Sequence, residues 1–244
     1  MQYNNNLKFI NYEKLIKIKY EEYPFPHTVI DNFLNEFLLC DLLKNINILD
    51  DNNAEWKFNN PDSPNEYNKY AFESNYGIFI KRLFRELNSI QFIKFLEKLT
   101  GINNLITNNT KLRGAGIHRI KNDGYLQLHT DFNSYYKNGI KLDRRINLII
   151  YMNPKWKEIY NGHLCLCDKE KMICVKKILP ILNRCIIFNT TNQSVHGHPI
   201  PLLIPSSISR QSIAVYYYTK NINNNTDFEG DEEHNTIWFP KIKV

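Results

Sequence analysis

The amino-acid sequence predicts an α+β fold that is mainly β, a β-sandwich or barrel flanked by N-terminal helices. Two observations carry that expectation. Beyond residue 105 the chain breaks into short β-branched and aromatic segments punctuated by Gly, Pro and Asn. Ahead of them, about a hundred residues carry apolar positions at helical spacing. A helical block before a run of strands indicates helices packed on one sheet. At 244 residues a substantial core is available, so no disulfide framework or structural metal is needed merely to fold. The expected organisation is a single domain over 1–244: a mostly helical support over 1–105, a β core over 106–220 and a tail over 221–244. A split near residue 105 is the alternative.

The elements follow in chain order. His27-Thr28-Val29-Ile30 reads as a short strand, and Asp31-Asn32 as a cap for the apolar-periodic stretch Phe33 to Ile46. Residues 51–76, rich in Asn, Pro, Tyr and Ser around Trp56, read as a long loop. Ile78 to Leu87 and Ile90 to Leu99 have helical spacing, with Gly101 where a C-terminal cap belongs. The expected strands are then Leu112–Ile120, Gly124–His129, Arg145–Met152, Gly162–Cys167, Met172–Ile178, Arg184–Asn189 and Gln211–Thr219.

Composition narrows the function classes. Asn (34), Ile (31) and Lys (23) make 88 of the 244 residues, a skew toward A/T-rich codons. Motifs built from those three types therefore carry little weight, and His, Asp, Arg, Gly and Trp at fixed spacing carry more. The net charge is +6 at a pI near 8.9, yet the lysines are scattered. No nucleic-acid or membrane patch is signalled. Five cysteines (40, 165, 167, 174, 185) lack zinc-finger spacing and read as reduced thiols of a cytoplasmic protein. The first residues lack a signal-peptide layout, and no apolar run approaches a membrane span.

The chemistry-bearing residues cluster in the β part. In Gly124–Asp131 the two-residue period puts Tyr125, Gln127, His129 and Asp131 on one face. An imidazole and a carboxylate converging there suit a divalent metal. His196 follows the strand Arg184–Asn189, and Arg210 opens the next strand fourteen residues later. Two His and one carboxylate leave three faces of an octahedral iron open, the arrangement of non-heme Fe(II) oxygenases. A buried Arg on a neighbouring strand is what a dicarboxylate co-substrate needs for its distal end.

With these residues in place, the chain resembles the Fe(II)/2-oxoglutarate-dependent oxygenases, in particular their prolyl-4-hydroxylase-like branch, from about Arg113 to Thr219. Beyond the triad, Arg145–Asn153 followed by Trp156 resembles the family's Y-L-N…W stretch. Asn161-Gly162-His163-Leu164 stands where the family commonly has Gly-Gly-x-Leu, and Pro180–Phe188 resembles its strand before the distal histidine. The resemblance implies a double-stranded β-helix, or jelly-roll, core. It implies His129, Asp131 and His196 as Fe(II) ligands and Arg210 as partner of the 2-oxoglutarate C5 carboxylate, helped by Ser212 and Tyr151. Tyr125, Asn147, Leu164 and Tyr216 would line the co-substrate pocket. Many relatives have Lys where this chain has Arg210, a subtype difference. Retention of Asp131 argues against a halogenase. The implied reaction takes O2 and 2-oxoglutarate to succinate and CO2 while a C–H bond is hydroxylated, with ascorbate as a stimulant. A prolyl residue in a peptide or protein is the first expected substrate. A small molecule, sugar or lipid head group is the alternative, and a catalytically silent metal-binding module or a zinc hydrolase are the remaining rivals.

Other candidates read as structural. His118 is expected to be packed or on the surface, and His198 is expected not to be a ligand. His163 is expected in the core or behind the site, and Arg144 and Arg145 as a solvated pair. Tyr135 and Tyr136 are candidates to cover the site, while Trp56 is expected to pack.

Overall fold

A computed structural model describes residues 7–49, 56–58, 63–73, 76–107, 115–220 and 233–244. Its centre is one curled antiparallel sheet of twelve strands, jelly-roll-like, with helices on its outer face. The helices come early: α1 (Tyr12–Leu15), α2 (Glu36–Asn47), α3 (Ile78–Leu87) and α4 (Ile90–Thr100). Before the β core lie β1 (His27–Ile30), β2 (Lys57–Phe58) and β3 (Glu66–Phe72). The core continues through β4 (Gly116–Thr130), β5 (Ser134–Lys137), β6 (Ile140–Tyr151), β7 (Leu164–Asp168) and β8 (Ile173–Ile178). It closes with β9 (Cys185–Asn189), β10 (Val195–His198), β11 (Arg210–Lys220) and β12 (Ile237–Trp238). Along the main path the order is β1-β9-β6-β11-β4-β10-β7-β8. No described helix is long and apolar enough to cross a membrane.

Local chemistry accounts for the helix ends. Ser89 caps α4 by accepting from the Phe92 N–H at 3.3 Å, and Gly101 ends it in the left-handed region at φ 73°. The cap of α2 is Asn35, whose side chain accepts from Phe37 N–H, and not the expected Asp31-Asn32. The shift has a cause in Asn183. Its amide accepts from Leu34 N–H at 2.7 Å and donates to Leu34 O at 2.9 Å, while its backbone carbonyl accepts from Phe33 N–H. Phe33 and Leu34 are thereby held extended and buried, and the helix starts only after them. One contiguous apolar cluster joins the helices to the sheet, and it unites Leu42, Leu83 and Phe92 with Leu148, Ile150 and Ile213 of β6 and β11.

Several strands differ from expectation. The loop expected over 51–76 contains β2 and β3, whose polar Asn and Lys positions hide the pairing with β4; residues 50–55, 59–62 and 74–75 lie outside the described set. The two strands expected over 112–120 and 124–129 form one long β4, which bends at Asp123 (φ 60°); residues 108–114 are not described. Asn138-Gly139, both at positive φ, turn β5 into β6 as a hairpin inside the expected covering segment. The expected tail supplies β12, which pairs Trp238 with His129.

Candidate metal and co-substrate site

Strand alternation builds the floor of the site. On β11, Arg210, Ser212, Ala214 and Tyr216 share one face, and across the pairing Tyr151, Ile149 and Asn147 of β6 stand opposite the last three. All seven line one buried cavity of about 90 Å³, joined by Leu164 of β7 and by His129 and His196. His129 on β4 and His196 on β10 are direct cross-strand partners.

The ligand atoms of His129, Asp131 and His196 all lie within 4.8 Å of one another, so the three could hold a metal ion. Each imidazole is oriented by the backbone. His129 Nδ1 meets Gln127 O at 2.8 Å and His196 Nδ1 meets Ser194 O at 2.9 Å. A carbonyl only accepts, so each Nδ1 carries a hydrogen, and each Nε2 is the nitrogen turned to Asp131 and to a metal. The Nε2 atoms lie 3.7 and 3.5 Å from the two carboxylate oxygens. Burial, joined by the neighbouring His129, pushes the His196 imidazolium down to about 4, which leaves a neutral ring at pH 7.

Asp131 is held as an anion. Burial alone would raise its carboxyl, but the Arg144 guanidinium and the two imidazoles outweigh it and keep it well below the usual carboxylate range. Arg144 Nη2 donates to Oδ2 at 2.9 Å and Asn147 Nδ2 donates to the same oxygen at 2.6 Å. Both donors fall on Oδ2, so Oδ1 is left to a metal. Arg144 also donates to Asn147 Oδ1, at 2.6 and 3.1 Å, and lies 3.6 Å above the Tyr216 ring.

At the other end of the cavity sits Arg210, 4% exposed. Its Nε donates to Gly162 O at 2.8 Å and its Nη2 to Tyr151 Oη at 3.1 Å. Among the described residues it meets no carboxylate. Gly162 is required there: at φ 76°, a Cβ would stand 3.0 Å from Arg210 Cδ and 2.7 Å from Leu202 Cδ2. Burial raises the Tyr151 phenol, opposed by Arg210, so it stays protonated. Because its oxygen accepts from Arg210, its O–H remains to donate into the cavity.

Residues 115–218 match the family model of the 2OG-Fe(II) oxygenase superfamily. The matched segment runs from the start of β4 into β11 and contains His129, Asp131, His196 and Arg210. That match and the triad imply Fe(II) and 2-oxoglutarate as metal and co-substrate, and the residues present fit both. Two imidazole nitrogens and a carboxylate oxygen are a donor set for Fe(II) that keeps positions open. A buried guanidinium that meets no carboxylate among the described residues suits an incoming dianion.

Solved structures share the fold at low identity. A prolyl hydroxylase from Trichoplax adhaerens, in complex with a hypoxia inducible factor oxygen degradation domain peptide fragment, aligns at TM-score 0.56 and 18% identity over 79% of this chain and 83% of its own. A prolyl 4-hydroxylase from Phytophthora capsici aligns at 0.51 and 16% over 81% of this chain, which spans 60% of that longer protein. HygX from Streptomyces hygroscopicus, with nickel, 2-oxoglutarate and hygromycin B bound, aligns at 0.50 and 10%, over 80% of this chain and 83% of HygX. No curated protein matches by sequence.

Nine of the ten site residues expected from the sequence surround the oxygenase cavity: His129, Asp131, His196, Arg210, Ser212, Tyr151, Asn147, Leu164 and Tyr216. Tyr125 does not. Its ring stacks on Tyr67 at 6.2 Å and its hydroxyl donates to Pro64 O. The β4–β10 register shifts between His196 and His198, so Leu126 faces the cavity three residues before His129, and the simple two-residue period fails.

Arg144, expected to be solvated, is 2% exposed and pairs with Asp131. Arg145 lies on the other face of β6, within 3.5 Å of Thr219 Oγ1. His118 and His198 both line the cavity, whereas His163 pairs with Glu158 at 2.7 Å outside it. Tyr136 points to solvent, Tyr135 packs edge-on to Tyr218, and Trp56 packs on Phe72 and under Arg119. Phe132 and Trp238, which sequence reasoning missed, wall a second cavity of about 240 Å³ that shares His129 and Asp131 with the first. Trp238 stands 5.0 Å from the His129 ring. Nothing in the local pattern of an isolated Ile-Trp pair announces that contact.

Proposed function

We propose that this oxygenase hydroxylates an unactivated C–H bond of a prolyl residue in a peptide or protein. The observation that carries the reading is the meeting of two cavities at His129 and Asp131. The inner one, ending at Arg210, takes 2-oxoglutarate; the outer one takes the substrate. At about 240 Å³ the outer cavity falls below the roughly 300–1,000 Å³ of pockets that enclose a whole drug-sized ligand. It suits one ring of a larger chain, set between Trp238, Phe132 and Tyr216. Prolyl hydroxylases among the fold neighbours support the same choice.

In this reading His129, Asp131 and His196 ligate Fe(II), which when bound with 2-oxoglutarate and O2 supplies the oxidising power. The protein's own part is positional. Arg144 and Asn147 fix Asp131 Oδ2; Gln127 O and Ser194 O fix the imidazoles. Arg210, Tyr151 and Ser212 orient the co-substrate, and Leu164, Ile149 and Ile120 keep the cavity free of bulk water.

A second reading has one observation in its favour: Lys69, Glu66 and Glu73 form a charged wall of the outer cavity, which suits a polar small molecule such as a sugar. HygX, solved with hygromycin B, shares the fold. Mass spectrometry after incubation with peptide and metabolite libraries, Fe(II) and 2-oxoglutarate separates the two. A one-oxygen mass gain on a prolyl residue supports the first, and a gain only on metabolites replaces it with the second.

A further inference from the structure

His198 takes no part in the triad or in the ion pairs around it. A neutral imidazole carries one N–H donor and one acceptor nitrogen. Its ring nitrogens are both buried and have no hydrogen-bond partner among the described residues, and the residue is only 3% exposed. The contrast within the chain is sharp. His27, His129, His163, His196 and His234 each set a ring nitrogen against a protein oxygen. A buried unsatisfied polar group is destabilising, so a ring that leaves two of them facing a cavity is arranged for something that enters it.

The surroundings define the chemical class of that visitor. His198 lines the same cavity as Arg210, Tyr151 and Ser212. It sits two residues beyond His196 on β10, which places it about 7 Å further along the strand from the triad. Gly197 between them lets β10 press against β4, since a Cβ there would lie 2.6 Å from Gln127 O. Arg210 is close enough to act electrostatically on the His198 ring. Its guanidinium spends Nε on Gly162 O and one Nη2 hydrogen on Tyr151 Oη, and among the described residues no anion completes the group. An imidazole N–H beside an unneutralised guanidinium, in the cavity that both line, matches a carboxylate.

We propose that His198 is a co-substrate-binding residue whose ring N–H donates to the 2-oxoglutarate carboxylate paired with Arg210. It thereby helps select a dicarboxylate over a shorter 2-oxo acid. The assignment rests on the chain's use of 2-oxoglutarate and is independent of which substrate is oxidised.

The test is calorimetric titration of the full chain loaded with Mn(II), using 2-oxoglutarate and 2-oxobutyrate, which keeps the 2-oxo acid head and lacks the distal carboxylate. His198→Phe keeps a flat ring and removes both polar nitrogens. It should weaken 2-oxoglutarate binding about tenfold, the usual size for one hydrogen bond to a charged group. Binding of 2-oxobutyrate and Mn(II) should not change. The melting temperature without 2-oxoglutarate should hold or rise, because two orphaned polar atoms are gone. His198→Ala carries the same comparison if the Phe variant does not fold. Unchanged 2-oxoglutarate affinity, or equal loss for both acids, overturns the proposal. Failure of the wild type to bind 2-oxoglutarate would remove the co-substrate site and this assignment with it. A substrate other than a prolyl peptide would leave the result untouched.

Discussion

Arg144→Met is the most exacting perturbation of the metal site's support. It removes donation to Asp131 Oδ2 at 2.9 Å and to Asn147 Oδ1 at 2.6 and 3.1 Å, and the stacking on Tyr216 and Phe132. Asp131 keeps only the Asn147 amide as a donor on Oδ2. Breaking a buried ion pair by deleting one partner costs about 3–5 kcal/mol. For a chain of this size, about 2–4 °C of melting temperature accompanies each kcal/mol. The metal-free variant should therefore melt about 6–20 °C below the wild type. A divalent ion supplies the positive charge that Arg144 no longer does, so saturating Mn(II) should raise the variant's melting temperature by more than the wild type's. The pH sign follows from Asp131. Its folded carboxyl lies below the ordinary 3.8, so its stabilisation is complete above that pH and is lost as pH falls through the folded value. Without Arg144, burial raises that carboxyl with less to oppose it, and acid loss of stability starts at higher pH. Calorimetric melts with and without Mn(II) check all three. A metal-free variant melting within about 2 °C of the wild type would refute the buried pair, since only a solvated pair is worth so little.

Three further outcomes are expected. Arg210→Met should weaken 2-oxoglutarate binding on the order of a hundredfold or more, the loss of a bidentate charged pair, with Mn(II) affinity unchanged by titration. Gly162→Ala should shift Arg210, given the 3.0 Å approach to its Cδ and the φ of 76°, and so reduce 2-oxoglutarate affinity while sparing the metal. Asn183→Ala orphans the Leu34 N–H and C=O and should cost about 2–4 kcal/mol in denaturant unfolding; a cost under about 1 kcal/mol would contradict the clamp.

What the sequence showed of this site depended on the kind of residue. His129, Asp131, His196 and Arg210 were legible because their types and order have few competing explanations in a chain dominated by Asn, Ile and Lys. Ser212, Tyr216, Asn147 and Tyr151 came from the family resemblance alone, and the alternation of β6 and β11 puts all four on one face of the sheet. Tyr125 was misplaced because a register shift on β4 is invisible in a two-residue pattern. Arg144 looked solvated because its partner is Asp131, thirteen residues away and just past the end of β4. β3 hid behind polar residues, and Trp238 reaches His129 only through a two-residue strand far along the chain. In each missed case the deciding contact is tertiary.

The central claim is a metal held by His129, Asp131 and His196 that acts with 2-oxoglutarate, and succinate release tests it most directly. Purified protein with Fe(II), ascorbate, 2-oxoglutarate and air should form succinate above background, and His129→Ala should form none above it. Equal release from the two proteins, or none from the wild type, would contradict the account.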